Sequence, residues 1–289
     1  MNTPDFSAAA AFVAANARVV DRRRFQRLFE RGPAAAVRDA VAAYRNEDGG
    51  FGHALEPDGR APGSQPAAAE MALRIMDETD AWDDGLARGA CGWLAAVAPA
   101  EGGAAFVEPT VAGWPHAPWW VPEEGHPASL FPTGMIAGTL HARAVGHPWL
   151  DGATQVMWNR IAKLTEPGGY DMFGVLRFLQ YVPDRDRARE VFGQVGPLIL
   201  ERNLVALDPE APGEAHGVLD FAPEPGSMAR ALFDEATVTA HLDHLAQAQK
   251  DDGGWMFNWP AWSPAAEREW RGFLTVDALR VLRANGRLA

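Results

Sequence analysis

One cysteine, Cys91, stands in a chain of 289 residues. An internal disulfide framework is therefore excluded, and the reducing cytoplasm is the expected location. Long apolar runs are missing as well: the longest near the start, Ala8 to Ala15, is far too short to span a bilayer, and the heavily charged stretch Arg18 to Arg31 follows it. Neither a secretory signal nor an integral membrane segment is expected. Positive charge is in short supply as well: 26 Lys and Arg stand against 38 Asp and Glu, and the formal net charge is −12. Phosphate backbones and anionic membranes are held by basic clusters, so nucleic acid is not an expected partner and a small-molecule substrate is. No Ser/Gly tract or charge block marks a linker, which predicts one domain over residues 1–289. Alternating β-branched runs of useful length do not occur, so the class is all-α. Cofactor and oligomeric state have no signature in the chain.

What the chain does contain is a recurring turn. Gln249-Lys250-Asp251-Asp252-Gly253-Gly254-Trp255 follows a helical run and has a near copy at Arg45-Asn46-Glu47-Asp48-Gly49-Gly50-Phe51. Paired glycines supply the positive φ that a helix exit needs, and the ring after them can fold back on the helix just left. Looser copies lie at Glu101-Gly102-Gly103, with Phe106 beyond, and at Glu166-Pro167-Gly168-Gly169-Tyr170. Such recurrence points to helical hairpins of lengthening period.

About ten helices are predicted. The first runs from near Phe6 to Glu30 and stops at Gly32-Pro33; the second, Ala34 to Arg45, aligns Val37, Val41 and Tyr44 in one stripe. A third begins after Ser64 as its N-cap, and others follow at Asp84 to Val97, Thr133 to Val145, Leu150 to Leu164, Met172 to Tyr181, Arg185 to Arg202 with a break near Pro197, and Glu235 to Gln249. The last spans Thr275 to Ala284. Helix pairs in these numbers can close into a ring of inner and outer helices, an α/α barrel.

Leu245 to Trp255, with Gln249, Gly253 and Trp255 in register, resembles the QW repeat of squalene-hopene cyclases and related triterpene cyclases, and Val41 to Phe51 is similar. The resemblance implies the α/α toroid shared by terpenoid cyclases and protein prenyltransferase β-subunits, whose inner helices surround a cavity. The family's Asp-x-Asp-Asp acid is missing: Asp80-Ala81-Trp82-Asp83-Asp84 has the wrong spacing and suits a solvated helix start. A lone cysteine cannot supply the zinc-binding pair of lanthipeptide cyclases on similar toroids.

The candidate catalytic residues are His53, Glu56 and Asp58, an imidazole and two carboxylates within six residues after the first glycine turn. They could serve as general acid and base or hold a divalent metal; helix capping by the carboxylates is the structural alternative. No metal site is assigned. Eleven tryptophans offer walls for an apolar or cationic ligand, and Trp114, Trp119, Trp120, Trp259 and Trp262 are the candidate substrate-binding residues. Trp259 to Gly272 reads as a lid with a short helix capped by Ser263 and a Glu267–Arg271 surface pair. Asp220 or Glu224 could face the cavity, but turn formation, with Ser227 as a helix cap, is the preferred reading. The expectation is a terpenoid-cyclase-like enzyme acting on an apolar, isoprenoid small molecule. The alternatives are a carbohydrate-active α/α-barrel enzyme with two separated carboxylates, and a non-catalytic binding or scaffold toroid.

Overall fold

A computed structural model describes residues 3–288, which are helical, with isolated β-bridges and no strand among them. The α-helices are α1 (Phe6–Asn16), α2 (Val19–Phe29), α3 (Ala34–Ala42), α4 (Pro66–Glu78), α5 (Asp84–Val97), α6 (Leu130–Ala142), α7 (Pro148–Ile161), α8 (Gly169–Tyr181), α9 (Arg185–Val195), α10 (Leu198–Glu201), α11 (Val218–Phe221), α12 (Glu235–Gln247) and α13 (Pro264–Ala284). None of these is long and apolar enough to cross a membrane. The chain divides into two compact units, residues 34–196 and residues 1–33 with 197–289.

Residues 34–196 hold α3 to α9. Helix α6 lies between α4 and α8 and is buried almost all round, as a helix apolar on every face must be. Its close approach to α8 rests on small residues: a Cβ on Gly134 would come within 2.3 Å of the Gly174 carbonyl oxygen, and one on Gly174 within 2.1 Å of the Leu130 oxygen. Farther along these helices Asp77 of α4 receives Arg143 Nε at 2.6 Å and Arg177 Nη2 at 2.5 Å. One carboxylate thereby ties α4, the end of α6 and α8, and both arginines keep further partners in Asp80 and Thr139.

In the other unit α1 and α2 pack on α13, and α12 packs on α13 as well. Phe12, Val13, Phe25, Trp255, Val276, Leu279 and Leu282 form its core. Arg24 is fully buried, with Nη2 2.9 Å from Asp277 Oδ1, Nη1 3.3 Å from Asp21 Oδ1, and its guanidinium 4.0 Å above the Phe273 ring. A charge buried this deeply persists only because each face of it is answered.

The glycine turns are the same structure twice. In the first, Asn46 N–H donates to the Gly50 oxygen (2.9 Å), Gly49 N–H to the Asn46 oxygen (3.0 Å) and Gly50 N–H to Asp48 Oδ1 (2.8 Å). In the second, Lys250, Gly254, Gly253 and Asp252 repeat those bonds at 2.9, 2.8 and 3.1 Å. Gly49 and Gly253 have φ of 90° and 89°, the left-handed region that favours glycine. Each also docks on a neighbouring helix, where a Cβ would meet the Gly89 oxygen of α5 at 2.7 Å or the Ala8 oxygen of α1 at 2.2 Å. The rings behind the turns are buried, and Trp255 Nε1 donates to the Leu245 oxygen of α12 at 2.8 Å. Gly102 repeats the positive φ, at 92°, against Val156 of α7. The fourth pair departs: Gly168 caps α8 with φ −82° and Gly169 opens that helix.

Three helix boundaries differ from expectation for identifiable reasons. The first predicted helix is two, because Ala17 and Arg18 turn extended and Arg18 Nε pairs with Asp21 Oδ2 at 2.7 Å. Ala17 also packs against Gly272, whose Cβ would lie 2.8 Å from that of Ala17. Gln65, not Ser64, precedes α4; the Ser64 hydroxyl donates to Asp48 Oδ1 at 2.8 Å and so serves the glycine turn. The segment read as a lid is largely the first half of α13, which Ser263 caps through Ala266 N–H at 3.1 Å. Arg271 there pairs with Asp252 at 2.7 Å, back on the second glycine turn, in place of the expected Glu267.

Candidate functional site

The loop after the first glycine turn passes through two left-handed residues, His53 (φ 55°) and Ala54 (φ 60°). Nε2 of the exposed His53 ring lies 2.8 Å from Asn46 Oδ1, which turns the imidazole toward the glycine turn. Glu56 Oε2 accepts Asp58 N–H at 2.7 Å, closing a local turn in place of a helix cap. Asp58 is buried; its Oδ2 accepts Trp119 Nε1 at 2.9 Å and its carbonyl accepts Ala117 N–H at 2.7 Å. Glu56 and Asp58 thus sit together, while His53 bonds to neither.

The aromatic loop opposite is fastened at three points. Gly59 bridges His116, Asp58 holds the Trp119 indole, and His126 Nε2 meets the buried Glu108 Oε1 at 3.0 Å where the loop ends. Trp120 is buried on Gly59, whereas Trp114 and Trp119 are 49% and 42% exposed. The cavity that Glu56, Gln65 and Trp120 line measures ≈ 10 Å³, room for a single water. These residues form a tight polar knot with indoles displayed outside it.

Trp259 and Trp262 belong to the other unit. Trp259 stacks on Phe257 with centroids 4.5 Å apart and meets Trp270 edge-on at 5.7 Å; Trp270 meets Phe273 in the same way at 5.7 Å. On α13, Trp270, Phe273 and Asp277 recur at helical spacing, so one face carries two rings and a carboxylate. Asn258 Nδ2 donates to the Ala215 oxygen at 2.9 Å and joins this aromatic row to the segment that enters α11.

Asp220, on α11, was read from the sequence as a turn residue in preference to a cavity-facing one. It does cap: Gly217 N–H donates to its Oδ2 at 2.7 Å. Yet its Oδ1 makes no hydrogen bond among the described residues. The side chain is open to solvent, and protein atoms crowd around it. Burial among those atoms pushes the carboxyl pKa up; the Gly217 N–H, His216 and His241 pull it down by less, and Asp277 adds to the rise. A carboxyl with raised proton affinity and an open oxygen is a general-acid candidate. Spacing along the chain carries no sign of that crowding.

Among the described residues no group of three or more His, Cys, Asp and Glu side chains could hold a metal ion. No protein-family model matches the chain, and no curated protein is similar to it.

Proposed function

We propose that the protein is a terpenoid-cyclase-like enzyme built on the hairpin step of an α/α toroid, performing acid-initiated chemistry on an apolar, isoprenoid small molecule. The toroid reading rests on the repeated step, in which a glycine turn between two helices docks on the helix of the next hairpin. The chemistry rests on one observation: Asp220 keeps one carboxyl oxygen open while the other accepts Gly217 N–H. In the same unit, Phe257, Trp259, Trp270 and Phe273 form a continuous aromatic row. Asp220 gives its proton to a substrate double bond, and ring faces stabilise the cation that results. Incubation with unsaturated isoprenoids in deuterated buffer tests this by mass spectrometry. Deuterium bound to carbon in the wild-type product and absent with Asp220→Asn is the expected result; equal incorporation by both, or none by the wild type, refutes the reading.

A carbohydrate-active enzyme is the second reading, favoured by the exposed Trp114 and by Trp119, which Asp58 fixes as a platform. Soluble oligosaccharides that quench wild-type fluorescence but not that of Trp114→Ala would support it.

A further inference from the structure

Positive charge is scarce in this chain, and it is concentrated. Six of the 26 Lys and Arg fall between Arg18 and Arg31, beside two of the 38 Asp and Glu. Helix α2 sorts them by face. Its inner side holds Asp21 and Arg24, both buried. Arg22, Arg23 and Arg27 share the opposite side at helical spacing; Arg22 and Arg23 are exposed there, and Arg31 stands exposed just past the helix end, beside the single acid Glu30. Arg283 of α13 adds another exposed guanidinium at this end, donating to the Leu28 oxygen and lying 4.5 Å over the Phe29 ring. Arg23 bonds Gln26 Oε1 at 2.7 Å, and Arg22 and Arg31 form no ion pair among the described residues. Val19, 53% exposed, lies on the same side three and four residues before Arg22 and Arg23.

The same unit displays the opposite pattern on the loop 207–214. Leu207 is 52% exposed, and Asp208, Glu210 and Glu214 are exposed and form no ion pair among the described residues. Although it carries Pro209, Pro212 and Gly213, this loop stands on a fixed base. His241 Nε2 donates to the Leu207 oxygen at 3.1 Å, Asn258 Nδ2 to the Ala215 oxygen at 2.9 Å, and Ala206 N–H to the His216 oxygen at 2.8 Å.

We propose that the arginine face of α2 docks on the 207–214 loop of a second copy of this chain, and that the protein is a homodimer. Each patch has one exposed apolar side chain, Val19 or Leu207, next to charges of one sign, so the two match as apolar centre and charged rim. Each chain carries one patch of each kind in the same unit. A two-fold axis therefore makes both contacts at once, and the assembly closes at two copies. Two copies of net charge −12 repel at a distance, but physiological salt confines charge interactions to about 8 Å, the range of the matched patches. A phosphate polymer could meet the same arginines, yet it offers Val19 no apolar neighbour and leaves the acidic loop unanswered.

Sedimentation velocity of the whole protein tests this. Wild type should be dimeric in about 0.1 M salt and associate at least about tenfold more weakly in about 1 M, where the screening length falls to about 3 Å. Arg22→Glu with Arg23→Glu should give monomers, and so should Glu210→Arg with Glu214→Arg. An equimolar mixture of the two variants should recover the dimer, because the reversed face meets the reversed loop while the other contact keeps its native charges. Arg22→Gln with Arg23→Gln, which should weaken the dimer without reversing charge, stands in if a reversal disturbs the circular dichroism of the fold. A monomeric wild type overturns the proposal, as does a dimer that survives both reversals or a mixture that stays monomeric. Monomeric wild type that binds single-stranded RNA through Arg22 and Arg23 overturns it in favour of a polyanion on this face.

Discussion

Gly253→Ala is expected to be among the most damaging single-methyl changes in the protein. At φ 89° an alanine pays backbone strain of about 1–2 kcal/mol. The added Cβ would also lie 2.2 Å from the Ala8 carbonyl oxygen and 2.4 Å from its carbon, and this neighbour is helix backbone that cannot swing aside. Forcing α1 away adds about 1–3 kcal/mol of overpacking. The sum, about 2–5 kcal/mol, is a large part of a typical stability of about 5–15 kcal/mol. Gly113→Ala separates the two contributions, because its φ is 85° and a Cβ there meets nothing within 4 Å. Gly49→Ala, at 2.7 Å from the Gly89 oxygen, belongs between them. Urea unfolding followed by tryptophan fluorescence, with each transition fitted separately because the chain has two units, should rank the losses Gly253 > Gly49 > Gly113. A Gly113 variant as unstable as the Gly253 variant would mean that φ alone sets the cost, and the docking argument would be wrong.

Asp220→Asn should raise the melting temperature at neutral pH and change it little in acid. A carboxyl whose folded pKa is raised favours the fold below its unfolded pKa and loses that contribution as pH rises through the folded value, and asparagine cannot ionise; a lower melting temperature for the variant at neutral pH would oppose this. Arg24→Met should cost about 3–5 kcal/mol, since Asp21 and Asp277 lose a buried partner, and melting curves give the value. Burial pushes the Cys91 thiol up to about 12, so Ellman's reagent at pH 8 should label the protein only after denaturant is added; rapid labelling of the native protein would place Cys91 at the surface. Asp58→Ala removes the acceptor of the Trp119 indole and should increase acrylamide quenching; unchanged quenching would mean that the loop is held without it.

Much of this architecture could be read along the chain because its determinants are local. The turn needs a glycine at positive φ, an aspartate one residue before it and a ring two residues after it, and all of these are adjacent in sequence. The fourth glycine pair shows the limit, since the same letters at Gly168 and Gly169 open a helix instead. Ser64 and Arg271 were assigned local partners and in fact serve Asp48 and Asp252 across loops, a competition that only folding decides. The start of α13 was read at Ser263-Pro264, which carries the N-cap and N1 signature, but as a short helix in a lid, because the surrounding tryptophans and prolines hid its continuation into the last helix. For Asp220 a cavity-facing role was weighed and set below turn formation, since capping explains its position and crowding by distant segments leaves no mark on neighbouring residues. Of the group His53, Glu56 and Asp58, the Glu56 carboxylate closes on the Asp58 backbone and the Asp58 carboxylate turns to Trp119, while His53, at a left-handed step, bonds to Asn46 instead.

The second glycine turn receives its partner helix from the far end of the chain. Asp5 N–H donates to Gln249 Oε1 at 2.7 Å, Gln249 Nε2 donates to the Asp5 oxygen at 2.8 Å, and Gly253 rests on Ala8. During synthesis α1 and α2 therefore emerge long before α13, the helix that covers them, exists. Residues 34–196 can complete their own core meanwhile, because all of it lies in one uninterrupted stretch. The unit that carries the proposed acid is thus the last to close, and its opening segment waits with Phe12 and Phe25 uncovered. Chaperone dependence and aggregation during expression should trace to that waiting interval, and variants that weaken the α1–α13 contact should reduce soluble yield more than their equilibrium stability foretells.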